Sequence, residues 1–315
     1  MSLIGFSPFR FVPTAQASLA LAVVGLGLAW SLYFPSVGTW LRPLSAIAGT
    51  FLVGAVWLKY FFEPKRFITE LSDPLYGSLM APMTMTLFVL ADYLAGYSTE
   101  IASLLWYPTL ILHIGMGITF FTLQAVKFRF KNIYPSWFLY PVGAISGTLA
   151  GPALGHIDFA QSKALVCISI YFVMLPVVLY RLCFFGRLPF HARPTVAIMA
   201  APVNLALAAY LVTYPNPDLI LAGALGGVAI TMTIFVYICY FYLLRLPFQP
   251  SIAAVTFPSV ISAVAMARLN DTLSAEHPHW NWLHSLGSVE IAVSSLLVLW
   301  VCFGYLRYYE VFKKK

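Results

Sequence analysis

The sequence has few charged residues. Asp, Glu, Lys and Arg together make up 9% of its 315 residues, whereas hydrophobic residues make up 61%. A soluble domain carries about 25% charged residues, so this composition excludes a soluble protein and predicts an integral membrane protein. The formal net charge of +7 could suggest a nucleic-acid partner, but the basic residues fall in short loops between apolar runs. We therefore exclude nucleic-acid binding.

The sequence also lacks the motifs of an enzyme or a cofactor site. It contains no glycine-rich phosphate loop and no nucleophile elbow, and its four cysteines have neither disulfide nor metal spacing. The nearest approach to a metal cluster is Glu276, His277, His279 and His284, whose irregular spacing favours a solvated outer loop. We predict no enzymatic activity, no cofactor and no metal, with a metal-binding protein or membrane enzyme built on this loop as an alternative.

Long apolar runs dominate what is present. Because a helix needs about 20 apolar residues to cross a bilayer, the runs predict an all-α membrane protein with ten spans in five helical hairpins. We treat residues 1–315 as a single transmembrane domain, since the connections are short. The predicted spans are about 12–34, 41–61, 78–97, 101–126, 137–155, 161–184, 195–214, 218–244, 251–268 and 284–306.

Lysine and arginine are distributed unequally between the two sides of the predicted membrane. One side has only Arg42, Lys163 and Arg268, and the other has the remaining 15 of the 18 basic residues. Loops rich in Lys and Arg stay in the cytoplasm, so this bias predicts that both termini are cytoplasmic.

Every odd-numbered span has a proline near the basic side, and these prolines are 56 to 69 residues apart. A proline removes one helical hydrogen bond and bends the helix, and a fixed period indicates repeated units. The alternative is that proline is simply common in membrane helices, as Pro108 and Pro176 in even spans illustrate. The predicted kink residues are Pro13, Pro82, Pro141, Pro202 and Pro258.

The odd spans are rich in Gly, Ala and Ser, and the even spans are bulkier. Small faces suit close packing or a lumen, and bulky apolar faces suit lipid, so we predict five inner (odd) helices around a central pore. In the ninth span, Phe257 stands directly before Pro258, and mostly small residues follow. We predict that Phe257 occludes the pore, with a plain packing role as the alternative; the alternative for the whole arrangement is a densely packed bundle.

Charge inside the predicted spans is sparse. Asp92 and Arg268 lie toward the outer ends of spans 3 and 9, and because such groups are costly in lipid, we predict that they pair at the outer mouth. Glu290 occupies a similar depth in span 10, and His113 is expected to be a hydrogen-bonded packing residue. The cores of inner spans 1, 5, 7 and 9 have no titratable residue, which favours weak binding and conduction over a carrier site.

Several stretches resemble the TehA family, the tellurite-resistance/dicarboxylate transporter group related to plant guard-cell slow anion channels. They are Phe11–Thr14, Tyr60–Glu63, Tyr134–Pro141 and Thr256–Pro258. The resemblance covers nearly the whole chain. It implies a homotrimer in the bacterial inner membrane, one pore per protomer, and Phe257 as the residue that plugs it.

Two functions follow from these expectations. The first is an anion channel that conducts small inorganic or organic anions passively once Phe257 moves aside. The second is a secondary transporter of C4-dicarboxylate, sulfite or tellurite oxyanions, which would need alternating access and a titratable or basic substrate site. Surrounding lipid is expected to contact the even helices.

Overall fold

The computed structural model describes residues 8–274 and 278–313, and within those ranges it contains helices and no strand. This confirms the predicted all-α class. The α-helices are α1 (Gln16–Tyr33), α2 (Pro35–Phe62), α3 (Pro64–Leu71), α4 (Ala81–Ala95), α5 (Thr99–Val126), α6 (Ile157–Phe184), α7 (Ala201–Thr213), α8 (Leu219–Leu243), α9 (Thr256–Ser274) and α10 (Trp282–Lys313).

Burial divides the membrane-spanning elements into two groups. In 18-residue stretches, 94% of Pro250–Ser274, 83% of Phe190–Thr213, 72% of Ser78–Ala95 and 67% of α1 is buried. The corresponding share is only 28% to 39% for the stretches that contain α2, α5, α6, α8 and α10. The odd spans are therefore inside and the even spans outside, as the distribution of small residues predicts.

The inner segments close into a ring. α1 packs against α4 and α9, α9 packs against α7, and residues 143–148 lie between α7 and α4. Inner segments that are not neighbours in this ring make few or no close contacts. Each outer helix covers the groove between two inner neighbours: α2 on α1 and α4, α5 on α4 and residues 143–148, α6 on those residues and α7, α8 on α7 and α9, and α10 on α9 and α1.

The fifth predicted span is not a continuous α-helix, which corrects the sequence-based expectation. Its residues form two 3-10 segments, Pro135–Leu139 and Gly143–Thr148, followed by turns. Pro141 lacks an amide donor and the nearby glycines favour non-helical backbone, so the α-helix does not form. Among the described residues, nine stretches qualify as membrane spans by helix length and composition, so the tenth crossing stays a prediction.

The other inner segments change helix type at their prolines. Pro82 and Pro202 are the second residues of α4 and α7, and Pro258 is the third residue of α9. A 3-10 segment ends directly before each of these helices, because proline fits the first turn of an α-helix but cannot donate to the turn before it. Those segments are Ser78–Met80, Phe190–Ala200 and Pro250–Val255. Pro13 likewise lies between the 3-10 segment Pro8–Phe11 and α1.

Candidate pore and its gate residue

Phe257 lies at the junction between the 3-10 and α-helical parts of the most buried inner segment, and it is itself only 5% exposed. Its ring faces Gly25 on the neighbouring helix α1. A Cβ atom added at Gly25 would lie 3.8 Å from Phe257 Cε2 and 3.1 Å from Val260 Cγ1. Gly25 thus lies within contact distance of the Phe257 ring, and Val260 is the residue that a side chain at Gly25 would crowd.

Side chains of α8 and α9 fix the backbone around this phenylalanine. The hydroxyl of Tyr240 donates to the carbonyl oxygen of Val255 at 2.8 Å and lies 2.7 Å from the Ser259 hydroxyl. The hydroxyl of Thr256 donates to the carbonyl oxygen of Ala253 at 2.7 Å. The polar groups released by the change of helix type are therefore partnered, and the backbone that positions Phe257 is held on both sides.

The described inner segments have no charged residue in their middle portions. α1 has none at all, and neither do residues 137–155. In the remaining inner segments, charged side chains occur only near the ends, at Asp92, Arg193, Arg268 and Asp271. Between their ends, the inner segments therefore consist of uncharged residues.

A cavity of about 450 Å³ lies at the basic end of the bundle, where α1 and the 3-10 segment before α9 begin. These are the same two inner segments that meet at Phe257. Three basic side chains and one carboxylate line it together with uncharged residues. The lining includes Arg10, Lys59, Arg66, Glu70, Pro13, Thr14, His191, Gln249 and Ser251.

Glu70 of the short helix α3 organises one wall of this cavity. Its carboxylate accepts hydrogen bonds from Lys59 at 2.9 Å, Tyr60 at 2.7 Å and Arg66 at 2.6 Å, and also from the hydroxyl of Thr14. Burial raises the pKa of Glu70, but the hydrogen bond from Thr14 and the charge of Lys59 outweigh burial and bring the pKa below its ordinary value. This network ties the start of α1 to the end of α2.

The ion pair at the opposite end differs from the predicted one. Asp92 Oδ2 lies 3.1 Å from Arg42 Nη2, whereas the prediction named Arg268 as its partner. α2 packs directly on α4, and α9 is not a neighbour of α4 in the ring, so Arg42 is the residue that can reach. Arg268 acts on Asp92 only through its charge, and its Nε is buried without a hydrogen-bond partner among the described residues.

Comparison with known proteins identifies the family. A family model described as "Voltage-dependent anion channel", SLAC1, matches residues 12–306. The chain belongs to the SLAC1 family. The match confirms the predicted relationship and, with the apolar helices, establishes a multi-pass membrane protein of an anion-transporting family.

Two relatives of this SLAC1 family member come from the archaeon Methanocaldococcus jannaschii. The uncharacterized transporter MJ0762 is 25% identical over 64% of this chain and 66% of its own length. The uncharacterized transporter MJ0576 is 23% identical over 64% of this chain and 65% of its own length. The alignments thus cover slightly less than two thirds of each relative.

Glu290 of α10 is a site residue whose burial the sequence analysis missed. It is only 3% exposed, it lies beside Ser262 of α9, and its Oε2 has no hydrogen-bond partner within the described residues. The sequence did contain a signal for this burial. Leu283, Gly287 and Ile291 are spaced so that they lie on the same face of α10 as Glu290, and an uncharged face of this kind packs inward. A carboxyl group therefore lies directly behind the segment that presents Phe257.

The remaining candidate residues have structural roles where they are described. His113 lies between the Thr84 hydroxyl, 2.6 Å from Nδ1, and the carbonyl oxygen of Tyr140, 2.9 Å from Nε2. In the outer loop, Glu276 and His277 lie outside the described residues, and His284 packs against the ring of Tyr33. No group of three or more His, Cys, Asp or Glu suited to a metal occurs within the described residues.

Proposed function

We propose that this SLAC1 family member is an anion channel whose pore follows the axis of the ring of inner segments and is closed by Phe257. The central observation is the placement of Phe257: it is buried on the most enclosed segment, at a proline junction, opposite a glycine of the adjacent inner helix. An anion passing an apolar ring must lose hydration without compensation, so one aromatic side chain suffices to close a narrow pore.

Uncharged inner segments can still favour anions. α4, α7 and α9 each begin after a 3-10 segment, partway along a buried inner segment, and helix N-termini carry partial positive charge. Basic side chains around the 450 Å³ cavity raise the local anion concentration at one end. With no fixed charge between the ends, a bound anion is free to leave, as conduction requires.

The same proposal covers the substrates, the orientation in the membrane and the oligomeric state. The substrates are small inorganic or organic anions, and conduction is passive. The basic end, with both termini, faces the cytoplasm of a bacterial cell, because Lys and Arg in short loops are retained there. The assembly is a homotrimer with one pore per protomer, in which the bulky outer helices contact lipid or neighbouring protomers.

A secondary transporter of C4-dicarboxylate, sulfite or tellurite oxyanions is the second candidate. Glu290 favours it, since a carrier driven by protons needs a titratable group near the substrate path and this carboxyl lies beside Ser262 of α9. The names of the two archaeal relatives also refer to transporters. Against it, Glu290 belongs to an outer helix, and no comparable group lies in the middle of an inner segment.

Current under voltage clamp separates the two functions. Wild type and Phe257→Ala are compared in chloride, nitrate and a large organic anion, with Phe120→Ala of outer helix α5 as a control for loss of a fully buried phenylalanine. A channel predicts a nearly silent wild type, a conducting Phe257→Ala and a silent Phe120→Ala. If all three are silent while wild type carries substrate in a proton-dependent flux assay, and Glu290→Gln abolishes that flux, the protein is a carrier.

A further inference from the structure

A second cavity, of about 440 Å³, lies between the ends of α6 and α8 on the basic side of the bundle and outside the ring of inner segments. Three arginines line it, Arg181, Arg187 and Arg193, and the other lining residues are mostly apolar. Its position between two outer helices means that it opens at the outer surface of the bundle. Neither conduction nor gating accounts for this cavity.

The end of α6 builds one wall. Gly186 has φ of +72°, a left-handed conformation that glycine adopts without strain, and it turns the chain back just beyond the last helical residue. Arg181, only 2% exposed, fixes this turn by donating to the carbonyl oxygens of Gly186 at 3.2 Å and of Lys131 at 2.9 Å. Arg187 follows the turn directly and lies exposed at the rim.

The positive charge in this cavity is not neutralised by the protein. None of the three arginines forms an ion pair with a carboxylate among the described residues. Arg193 donates to the carbonyl oxygen of Leu188 and to the hydroxyl of Tyr242, both of which are uncharged. Arg187 has no hydrogen-bond partner in the described part of the chain. Guanidinium groups bind phosphate oxygens strongly, so this is the charge pattern of a phosphate-binding site.

We propose that this cavity binds the head group of an anionic phospholipid, with the phosphate against Arg187 and Arg193 and an acyl chain along the groove between α6 and α8. The lining residues Leu182 and Cys239 supply apolar surface next to the arginines. Basic pockets between membrane helices on the positively charged side suit anionic lipids, which accumulate near such residues. A soluble phosphate would use the arginines and leave the apolar wall uncovered, which is why a lipid is the better fit.

Native mass spectrometry of the detergent-solubilised full chain tests this site. Phosphatidylglycerol and phosphatidylcholine are titrated separately, and bound lipid is counted for wild type and Arg187→Ala. Arg245→Ala is the matched control, because Arg245 is also exposed on the basic side but does not line the cavity. Since a basic residue near a membrane contributes about 1 kcal/mol to anionic-lipid binding, Arg187→Ala should weaken phosphatidylglycerol binding about five-fold. Arg187→Lys should restore part of it.

Each outcome decides the proposal. Preference for phosphatidylglycerol over phosphatidylcholine that Arg187→Ala reduces and Arg245→Ala does not would support it. Equal binding of the two lipids, or equal effects of the two substitutions, would overturn it. If inorganic phosphate alone binds as tightly as phosphatidylglycerol, the site takes a free anion and the lipid assignment is wrong. Because Arg187 has no side-chain hydrogen bond to lose, its substitution should leave the melting temperature unchanged, which excludes misfolding as the cause.

Discussion

The inner segments and the outer helices contrast in regularity as well as in burial. Outer helices α2, α5 and α6 each run for 28 residues without interruption. Inner segments change from 3-10 to α-helix partway along, and the one at residues 137–155 forms no α-helix. The element on the outside of the bundle is thus continuous, and the element on the inside is broken.

Proline alone does not explain this contrast. Pro43, Pro108 and Pro176 lie inside α2, α5 and α6, and the α-helix continues through each of them. In the inner segments, by comparison, Pro82 and Pro202 mark the start of an α-helix. The same residue type therefore has two effects, and the surroundings must decide which one occurs.

Hydrogen-bond donors on the outer helices supply the difference. Tyr240 of α8 donates to the carbonyl oxygen of Val255 at 2.8 Å, and the indole of Trp106 of α5 donates to that of Gly147 at 2.7 Å. A broken segment is tolerable in a membrane only where protein satisfies its backbone. The inner segments receive such donors from the outer helices packed against them, whereas the exposed side of an outer helix has no protein neighbour to supply one. The outer helices therefore permit the inner segments to be irregular.

The strongest connection between the two rings is predicted at Glu70. Replacing it with Ala leaves Lys59, only 1% exposed, without its carboxylate, and an unpaired buried charge costs about 3–5 kcal/mol. The free energy of unfolding, measured by SDS titration in mixed micelles, should fall by that amount. Glu100→Ala, at an exposed position in the first turn of α5, is the control. Equal losses in the two variants would show that the network does not stabilise the fold.

The same carboxylate should make stability depend on acid. The folded-state pKa of Glu70 lies below its ordinary value, so its contribution is complete above the unfolded pKa of about 4.3. It is lost as the pH falls through the lower folded-state pKa. Wild type should therefore lose stability more steeply below about pH 4 than Glu70→Gln does. Superimposable acid-unfolding curves for the two proteins would contradict the assignment.

Glycine-to-alanine substitutions should change stability in opposite directions in the two rings. A Cβ atom at Gly27 of α1 would lie 2.9 Å from Ser45 Cβ and 3.0 Å from the backbone Cα of Arg42. This overpacking should cost about 1–3 kcal/mol. At Gly115 of α5 a Cβ would meet nothing within 4 Å, and Ala there should stabilise the helix by about 0.5–1 kcal/mol. SDS titration of both variants checks the signs, and two changes of the same sign would contradict the contrast.

Removing one hydrogen-bond donor of an outer helix should cost less stability than removing Glu70. Tyr240→Phe keeps the ring but deprives the carbonyl oxygen of Val255 of its partner, and a buried unsatisfied group costs about 1–3 kcal/mol. Tyr180→Phe on α6, half exposed and without a hydroxyl hydrogen bond in the described residues, is the control. The melting temperature should fall for Tyr240→Phe only. A similar fall for both would mean that the broken segment does not depend on this donor.

The sequence predicted the parts of this architecture that are local or periodic. Span positions follow from apolar length, and the inner set follows from small residues in odd spans. The partner of Asp92 was not predictable in the same way, because it depends on which helices are neighbours in the ring of inner segments. The 3-10 segments within residues 137–155 were also not predicted. Proline and glycine indicate a bend, but they do not indicate which hydrogen bonds replace those of the α-helix.

Substitution of Gly25 is the smallest change that tests the contact between Phe257 and helix α1. An added Cβ would approach Val260 Cγ1 to 3.1 Å and Phe257 Cε2 to 3.8 Å. The Val260 side chain must therefore give way by a few tenths of an ångström, and we expect the adjacent Phe257 ring to move with it. Under voltage clamp, Gly25→Ala should produce a small anion leak, well below that of Phe257→Ala. Gly54→Ala on outer helix α2, where a Cβ meets nothing within 4 Å, should remain silent. The double variant Gly25→Ala/Phe257→Ala should conduct no more than Phe257→Ala, because the leak arises only by displacing that ring. A leak that adds to the Phe257→Ala current would mean that Gly25 controls a second constriction.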